Sequence, residues 1–455
     1  MATSGFNRQP ITIQHSNRKI LPLLKALVAG GIEASDPLKA ITRSLACRDH
    51  TLTVQGTSYD LSTYDRIICM GAGKASGRMA AALEQVLGRY LEGGIVIVKD
   101  GYGTPCKNIH LLEAGHPIPD RRGVNATKQV ISLVHSLTRN DLLIILLSGG
   151  ASSLLCAPAP GITLADKQRT TNLLLRSGAT IQEINIVRKH LSTVKGGQLA
   201  QTTLAQSVTF IMSDVLGDDL STIGSGPTVP DRSTFQDAKD ILKQFTLWGT
   251  IPSAVRRHIN KGRSGHVPET WKPTKHQSSR HRHVILGNNR QAIEGVAAAA
   301  RKLKIKPVIL PMPLQGEARE IGSILGSLGR DLVESGNPVH PPACLIAGGE
   351  PTVTVSGKGQ GGRAQECVLA AAQELAGLKN VIVAGFGTDG TDGPTDAAGA
   401  VADGQTMKRA RRKGLEIHTF LDNHDSYHFF KQGGGQIITG PTGTNVNDVY
   451  LILAL

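Results

Sequence analysis

Short runs of β-branched and aliphatic residues recur along the chain, each closed by a glycine-rich or polar turn and most followed by a helical pattern. They stand at 66–70, 95–98, 142–147 and 208–212, and again at 284–286, 308–310, 344–346 and 381–384. Continuous apolar runs suit strands covered on both faces, and their alternation with helices implies right-handed βαβ crossovers. The pattern predicts an α/β protein of two domains: an N-terminal Rossmann-like parallel sheet flanked by helices, and a C-terminal α/β domain.

Apolar periodicity fades over 252–283, where Pro, Gly, Ser, His and basic residues take over. A strand restarts at Val284, and an alanine-rich helix is expected over 291–304. A linker is expected in that stretch, dividing the chain into 1–270 and 280–455. The length of 455 residues agrees with more than one domain. No short-period repeat is visible.

The formal charge of +14 asks for an anionic partner, either a polyanion or a small phosphorylated or carboxylated ligand. Part of the excess lies at 256–283, where eight lysines and arginines, Lys275 among them, face the single acid Glu269. More lies in the Lys-Arg-Ala-Arg-Arg-Lys run at 408–413. Such runs are usually solvated surface, and no nucleic-acid reading motif accompanies them. Aromatics at 4% also argue against a base-stacking platform. No nucleic-acid partner is expected. The six cysteines are scattered without disulfide or zinc spacing, and no apolar stretch is long enough for a bilayer. A cytoplasmic protein is expected, although a basic N-terminus free of acids before Glu33 leaves an organelle presequence open.

In open parallel sheets ligands bind beyond the carboxyl ends of the strands, and the unusual residues collect there. The first such loop is Met70-Gly-Ala-Gly-Lys-Ala-Ser-Gly77. Gly71 and Gly73 would let the backbone approach an anion, with N–H groups from the following helix. Lys74 opposes the helix dipole there, a conflict that an anionic ligand relieves. The loop is not a Walker A motif, because Ile68 and Ala75 stand where glycine and a hydroxyl residue are needed. A dinucleotide reading stays open through Asp100 beyond the next strand, and a tight structural turn is the plain alternative.

The second loop, Leu147-Ser-Gly-Gly-Ala-Ser-Ser153, offers Ser148, Gly149, Gly150 and Ser152 as a phosphate or carboxylate cradle, unless Ser152 only caps a helix. Over 184–199, Asn185, Arg188, Ser192 and Lys195 are spaced to share one helical face, either anion-binding or solvated. Asp214, just past the 208–212 strand, suits Mg²⁺ or polarisation of a hydroxyl, and Asp219 suits metal or a turn.

In the C-terminal half, Glu350 follows a strand, and Arg363 sits between glycines and a helix, placed to clamp a transferring phosphoryl group. The 385–396 loop carries Asp389, Asp392 and Asp396 at spacing wrong for an EF-hand, leaving Mg²⁺ binding, orientation of Arg363 and turn formation open. The segment 440–448 adds hydroxyls and amides suited to a sugar or phosphate. Cations and aspartates recur from loop to loop, while no nucleophile–base pair is evident. Phosphoryl transfer, which needs positioning and charge neutralisation, is the favoured chemistry.

Taken in order, several motifs resemble the class II glycerate kinases: the 70–76 loop, His116-Pro-Ile-Pro-Asp120, 147–153, 191–197, 213–217, 224–228, 348–362 with Arg363, and 387–394. The C-terminal part resembles that family's MOFRL domain, and the likeness runs from about Pro22 to Leu453. The resemblance implies ATP- and Mg²⁺-dependent phosphorylation of D-glycerate, usually at the 2-hydroxyl, in a cleft between two α/β domains. It implies catalytic roles for Lys74, Arg363 and Asp214. Gly71, Gly73, Ser148, Gly149, Gly150, Ser152, Asn185, Arg188, Lys195, Glu350 and Asp389 are then expected to hold substrate or phosphate, and Asp214 and Asp219 the metal. The partners expected are D-glycerate and ATP, with no membrane, and a homo-oligomer is compatible. The rivals are an NAD(P)H-dependent hydroxypyruvate reductase built on the 71–77 turn and Asp100, and a non-catalytic basic module for nucleic acid.

Overall fold

The computed structural model describes residues 9–273, 277 and 279–455, so Lys275 of the basic stretch lies outside the described residues, as do the first eight positions of the basic N-terminus. Two compact units are present, Ala40–Leu286 and Met1–Lys39 with Gly287–Leu455, and both are α/β.

The first unit is built on a six-stranded sheet in the order His281–Gly287, Gln206–Met212, Leu142–Ser148, Ile67–Ala72, Gly93–Lys99, Ile109–Ala114. The pairings from Gln206–Met212 through Ile109–Ala114 are parallel. Leu142–Ser148 is buried at every position, as a central strand covered on both faces must be. Each buried Leu or Ile there contributes about 1.5–3 kcal/mol relative to exposure, which fixes this run at the sheet's centre. Strand order reverses between Ile67–Ala72 and Leu142–Ser148, because the chain first winds to one edge and then returns to build the other. That reversal opens a crevice at the carboxyl ends of these two strands.

The second unit holds a seven-stranded sheet in the order Thr12–Ile13, Gln436–Ile438, Gly399–Asp403, Val381–Gly387, Asp448–Ala454, Ala343–Gly349, Lys306–Ile309. Here the expectation of βαβ crossovers is corrected. Asp448–Ala454, the last strand, inserts antiparallel between Ala343–Gly349 and Val381–Gly387. Only Lys306–Ile309 and Ala343–Gly349 form a parallel pair among the registers described.

The domain division differs from 1–270 and 280–455 at both ends. Helix Leu21–Ala34 packs on helix Asn289–Lys302 through facing glycines: a Cβ on Gly295 would lie 2.3 Å from Gly30 O, and one on Gly30 would lie 2.8 Å from Ala299 Cβ. Thr12 and Ile13 pair with Ile438 and Ile437. Both contacts assign the first residues to the second unit. The stretch read as a linker forms helix Ser253–Arg263, which buries Val255, His258, Ile259 and Gly262 and turns Arg257, Lys261 and Arg263 to solvent. It then continues into His281–Gly287, the outermost strand of the first sheet. Among the described residues no helix is long and apolar enough to cross a membrane.

Candidate active site

At the reversal point, the loops after Ile67–Ala72 and Leu142–Ser148 are joined to each other. Gly73 N donates to Ile97 O (3.1 Å), Lys74 N to Gly149 O (2.9 Å) and Ala75 N to Ser148 Oγ (2.9 Å). Ser76 Oγ lies 3.1 Å from Leu146 O and 3.0 Å from Ser148 Oγ. The expected open cradle of amides at Gly71 and Gly73 is therefore corrected. Gly73, at φ +141°, is required because a Cβ would stand 2.1 Å from Ser148 Oγ, and one on Gly71 would stand 2.6 Å from Leu146 O. Ser148 is fully buried and serves this junction, with no face left for a ligand. Lys74 is half-buried at this corner. Beside it Gly150, at φ +89°, lies so close to His116 that a Cβ would stand 2.9 Å from the ring, and 3.5 Å from Lys74 Cγ.

Asn185 and Arg188 lie on helix Ile181–His190, which ends before Ser192 and Lys195. The single helical face expected across 184–199 is thus corrected: Gly196 and Gly197 are left-handed, and Ser192 Oγ donates to Ala157 O (3.1 Å). The chain nevertheless folds Lys195 back toward Asn185. Lys195 Nζ donates to Ser152 O (2.7 Å), Ser152 Oγ (3.2 Å) and Gly224 O (3.4 Å). Ser152 Oγ lies 2.8 Å from Ser225 Oγ, which donates to Asn185 Oδ1 (3.0 Å). Ser152 is therefore not a helix cap. Lys167, which sequence reasoning missed, joins the group from the buried face of helix Leu164–Arg176, donating to Leu191 O (3.3 Å). Its signal was present: it shares i, i+3, i+7 spacing with Thr170 and Leu174, an apolar-face position for a lysine.

Among the described residues no carboxylate pairs with these cations. Lys195 is 1% exposed and Lys167 4%. Burial, then repulsion from Lys167 and Arg188, holds the Lys195 ammonium well below the ordinary lysine range. Burial lowers Lys167 to about 8, and burial also lowers Arg188. Among the described charges acting on the three, only the Cys156 thiol favours their charged forms, and none is a carboxylate. Desolvated cations that repel one another cost stability unless an anion compensates them. Such an arrangement is suited to an anion. Its affinity for a carboxylate or phosphate should weaken as pH rises through about 8, because Lys167 is cationic below that value and neutral above it. The check is the pH dependence of KM for the anionic acceptor; a flat profile from pH 7 to 9 would remove Lys167 from the site.

Met212 is in register with Ser148, so Asp214, half-buried, lies just past the strand end beside the second loop. Asp219 does not suit the metal role. Its carboxylate accepts from Ser221 N (3.0 Å), Ser221 Oγ (2.8 Å) and Thr222 Oγ1 (2.7 Å), and so shapes a turn. Among the described residues no three His, Cys, Asp or Glu side chains converge on a metal position. Asp100 is paired with Arg122 at 2.6 and 2.8 Å, which occupies the carboxylate that a dinucleotide ribose would need.

In the second unit, Arg363 opens helix Arg363–Glu374. Asp392 caps that helix, accepting from Ala364 N (3.0 Å), Gln365 N (2.8 Å) and Gln365 Nε2 (3.1 Å). The guanidinium is clamped by Asp448 (Nε to Oδ2, 2.6 Å; Nη2 to Oδ1, 3.4 Å) and by Glu350 (Nη1 to Oε1, 2.9 Å). Burial works against the charged guanidinium, but Asp448 and then Glu350 hold it above its usual range. Glu350, expected to meet substrate, instead spends its carboxylate on Arg363. Asp389 Oδ1 holds Thr391 N and Oγ1, both at 3.0 Å, and so shapes its own turn. Asp448, the missed partner, is fixed where the last strand pairs with Gly349 and Gly387, a placement that only the sheet topology reveals. Asp448→Asn should lower kcat by on the order of 10–100-fold by loosening Arg363. Steady-state kinetics on the folded variant check this, and an unchanged kcat would deny Asp448 the positioning role.

The Domain of unknown function (DUF4147) model matches residues 23–260, and the MOFRL family model matches 343–448. A Pyrococcus horikoshii protein named glycerate 2-kinase is 43% identical over 94% of this chain and 96% of its own length. A Thermotoga maritima protein named D-glycerate 2-kinase is 43% identical over 85% of this chain and 90% of its own. The solved T. maritima glycerate kinase superposes with a TM-score of 0.83 at 39% identity, covering 96% of this chain and 100% of that one. With the N-terminal and MOFRL modules both matched and relatives this similar over nearly the whole length, the chain belongs to the MOFRL family of class II glycerate kinases.

Proposed function

We propose that this chain transfers the γ-phosphoryl group of ATP to the 2-hydroxyl of D-glycerate, giving 2-phosphoglycerate and ADP. The observation that carries this reading is the buried pair Lys167 and Lys195 beside the half-buried Arg188, with no carboxylate among the described charges acting on them. Asn185, Arg188 and Lys195, with the Gly149–Gly150 turn, would hold the acceptor's carboxylate. Lys74 and Arg363 would neutralise the donor phosphates and the group in flight, where charge stabilisation is the main work asked of protein. The acceptor oxygen forms its bond to Pγ as the bond from Pγ to the ADP oxygen breaks. Asp214 would hold Mg²⁺ or take the hydroxyl proton, and a lone strand-end carboxylate fits an ion that keeps most of its ligands as water and phosphate oxygen. Bound Mg²⁺ would supply charge neutralisation on the donor phosphates.

The six free cysteines fit a cytoplasmic setting. The reading is tested by following ADP release with and without D-glycerate. Release that depends on D-glycerate is expected, with no oxidation of NADH on hydroxypyruvate. NADH consumption without ADP release would replace the kinase by a reductase.

A further inference from the structure

The His116-Pro-Ile-Pro-Asp120 motif begins just past strand Ile109–Ala114, at the carboxyl end of the first unit's sheet. Asp120 folds it into a closed turn. Its carboxylate accepts from the amides of Gly115 and of Gly123 (2.9 Å), so one side chain holds the start of the turn and caps helix Arg121–His135. A Cβ on Gly115 would stand 2.9 Å from Ile118 O, a closeness that only glycine permits. Gln168 Nε2 donates to Pro119 O (2.7 Å), which ties the turn to the helix that carries Lys167.

The turn sends the His116 side chain back over the sheet. Strands Gly93–Lys99 and Ile67–Ala72 stand between Ile109–Ala114 and Leu142–Ser148, a span of roughly 14 Å at the usual ~4.8 Å spacing. The imidazole nevertheless meets Gly150, in the loop beyond Leu142–Ser148. A Cβ on Gly150 would lie 2.9 Å from Cδ2 and 3.0 Å from Nε2 of that ring, and 3.5 Å from Lys74 Cγ. Gly150 is therefore glycine on two counts, its φ of +89° and the room the ring takes. The Nε2 edge of the ring and the stem of Lys74 converge on one point at the crevice, and the ring is only half-buried there.

On the kinase reading, Lys74 meets the donor phosphates and the Gly149–Gly150 turn meets the acceptor's carboxylate. His116 stands between the two. The 2-hydroxyl of glycerate is on the carbon that bears the carboxylate, so an acceptor held at Gly150 brings that oxygen to the imidazole. A hydroxyl that attacks phosphorus must lose its proton, and histidine is the side chain that most often takes one. We propose that His116 is the general base of the reaction. As the 2-oxygen forms its bond to Pγ and the bond from Pγ to the ADP oxygen breaks, the hydroxyl proton passes to Nε2, which later releases it to water. The inference rests on the kinase reading, and it gives to His116 the proton that Asp214 would otherwise take.

His116→Gln and His116→Ala test it, with ADP release followed over ATP and D-glycerate concentrations. Glutamine keeps a hydrogen-bond donor but takes no proton, and alanine leaves room for imidazole from solution. The expected result is a kcat lower by about 100-fold in both variants, with KM for each substrate within about threefold of wild type. Imidazole should restore the alanine variant by about tenfold or more, and sodium chloride at equal ionic strength should not. A glutamine variant with near wild-type kcat would overturn the base role, and so would a slow alanine variant that imidazole leaves unchanged. Should His116→Ala fail to fold, the glutamine variant decides: lost kcat at unchanged KM supports the proposal, and a raised KM at retained kcat overturns it. Absence of D-glycerate-dependent ADP release from the wild type would fail the kinase reading itself, an outcome separate from any result on the variants.

Discussion

Arg363→Ala should lower kcat by on the order of 10²–10³, the usual cost of removing a donor aimed at transition-state charge. Lys74→Ala should do the same. The arginine variant carries a second signature. Asp448 is buried, and losing its guanidinium leaves an unpaired carboxylate beside Asp392, whose own carboxyl is already pushed up to about 7 by burial and by Asp448. Truncating one member of a buried pair costs about 3–5 kcal/mol, so a lower Tm should accompany the lost rate. Arg363→Lys separates the two effects. A lysine keeps the charge but cannot reproduce the fork that engages Asp448 and Glu350, so most of the stability should return and most of the rate should not. Kinetics and thermal melts on the three variants check this. Wild-type kcat in a folded Arg363→Ala protein would take Arg363 out of the mechanism.

Lys167→Met should move activity and stability in opposite directions. The lysine is nearly fully buried, has one hydrogen bond to Leu191 O, and is repelled by Arg188. A folded-state pKa of about 8 against an ordinary 10.5 means that below pH 8 the fold holds the charged form at a cost. The sign follows directly: a base whose pKa is depressed contributes stability at high pH, and that contribution is lost as pH falls from 10.5 through 8. A methionine of similar length removes the penalty, so a gain of about 2 kcal/mol is expected near pH 7, read as a Tm higher by a few degrees. In the same variant KM for D-glycerate should rise by about tenfold, since the anion site has lost one of its cations. A Tm that falls, or a KM that does not move, would mean that Lys167 is an ordinary buried lysine.

Much of the first unit was legible because its strands are continuous apolar runs with glycine-rich ends, a pattern set by local burial. The same runs pointed to the strand-end loops at Lys74 and Gly150 as places for chemistry, whereas the reversal of strand order that sets them side by side is visible only in the sheet topology. Three things were not legible, each because it depends on pairing distant segments. The first residues join the second unit through a glycine-to-glycine helix contact at Gly30 and Gly295 that no local pattern announces. The last strand enters antiparallel between two others, and only that insertion brings Asp448 to Arg363. The loop glycines Gly71 and Gly73 carry the composition of an anion cradle, yet their conformations answer to the neighbouring strand and to Ser148. Lys195 is the opposite case: the helix expected to present it ends at His190, but the turn through Gly196 and Gly197 returns it to Asn185 all the same.

The most direct measurement couples ATP and D-glycerate to enolase alone, with no phosphoglycerate mutase present. Phosphoenolpyruvate should form at once, because 2-phosphoglycerate leaves the enzyme ready for dehydration. Absorbance that rises only after mutase is added would place the phosphoryl group on the 3-hydroxyl. No ADP release with any glycerate isomer would contradict phosphoryl transfer to glycerate itself.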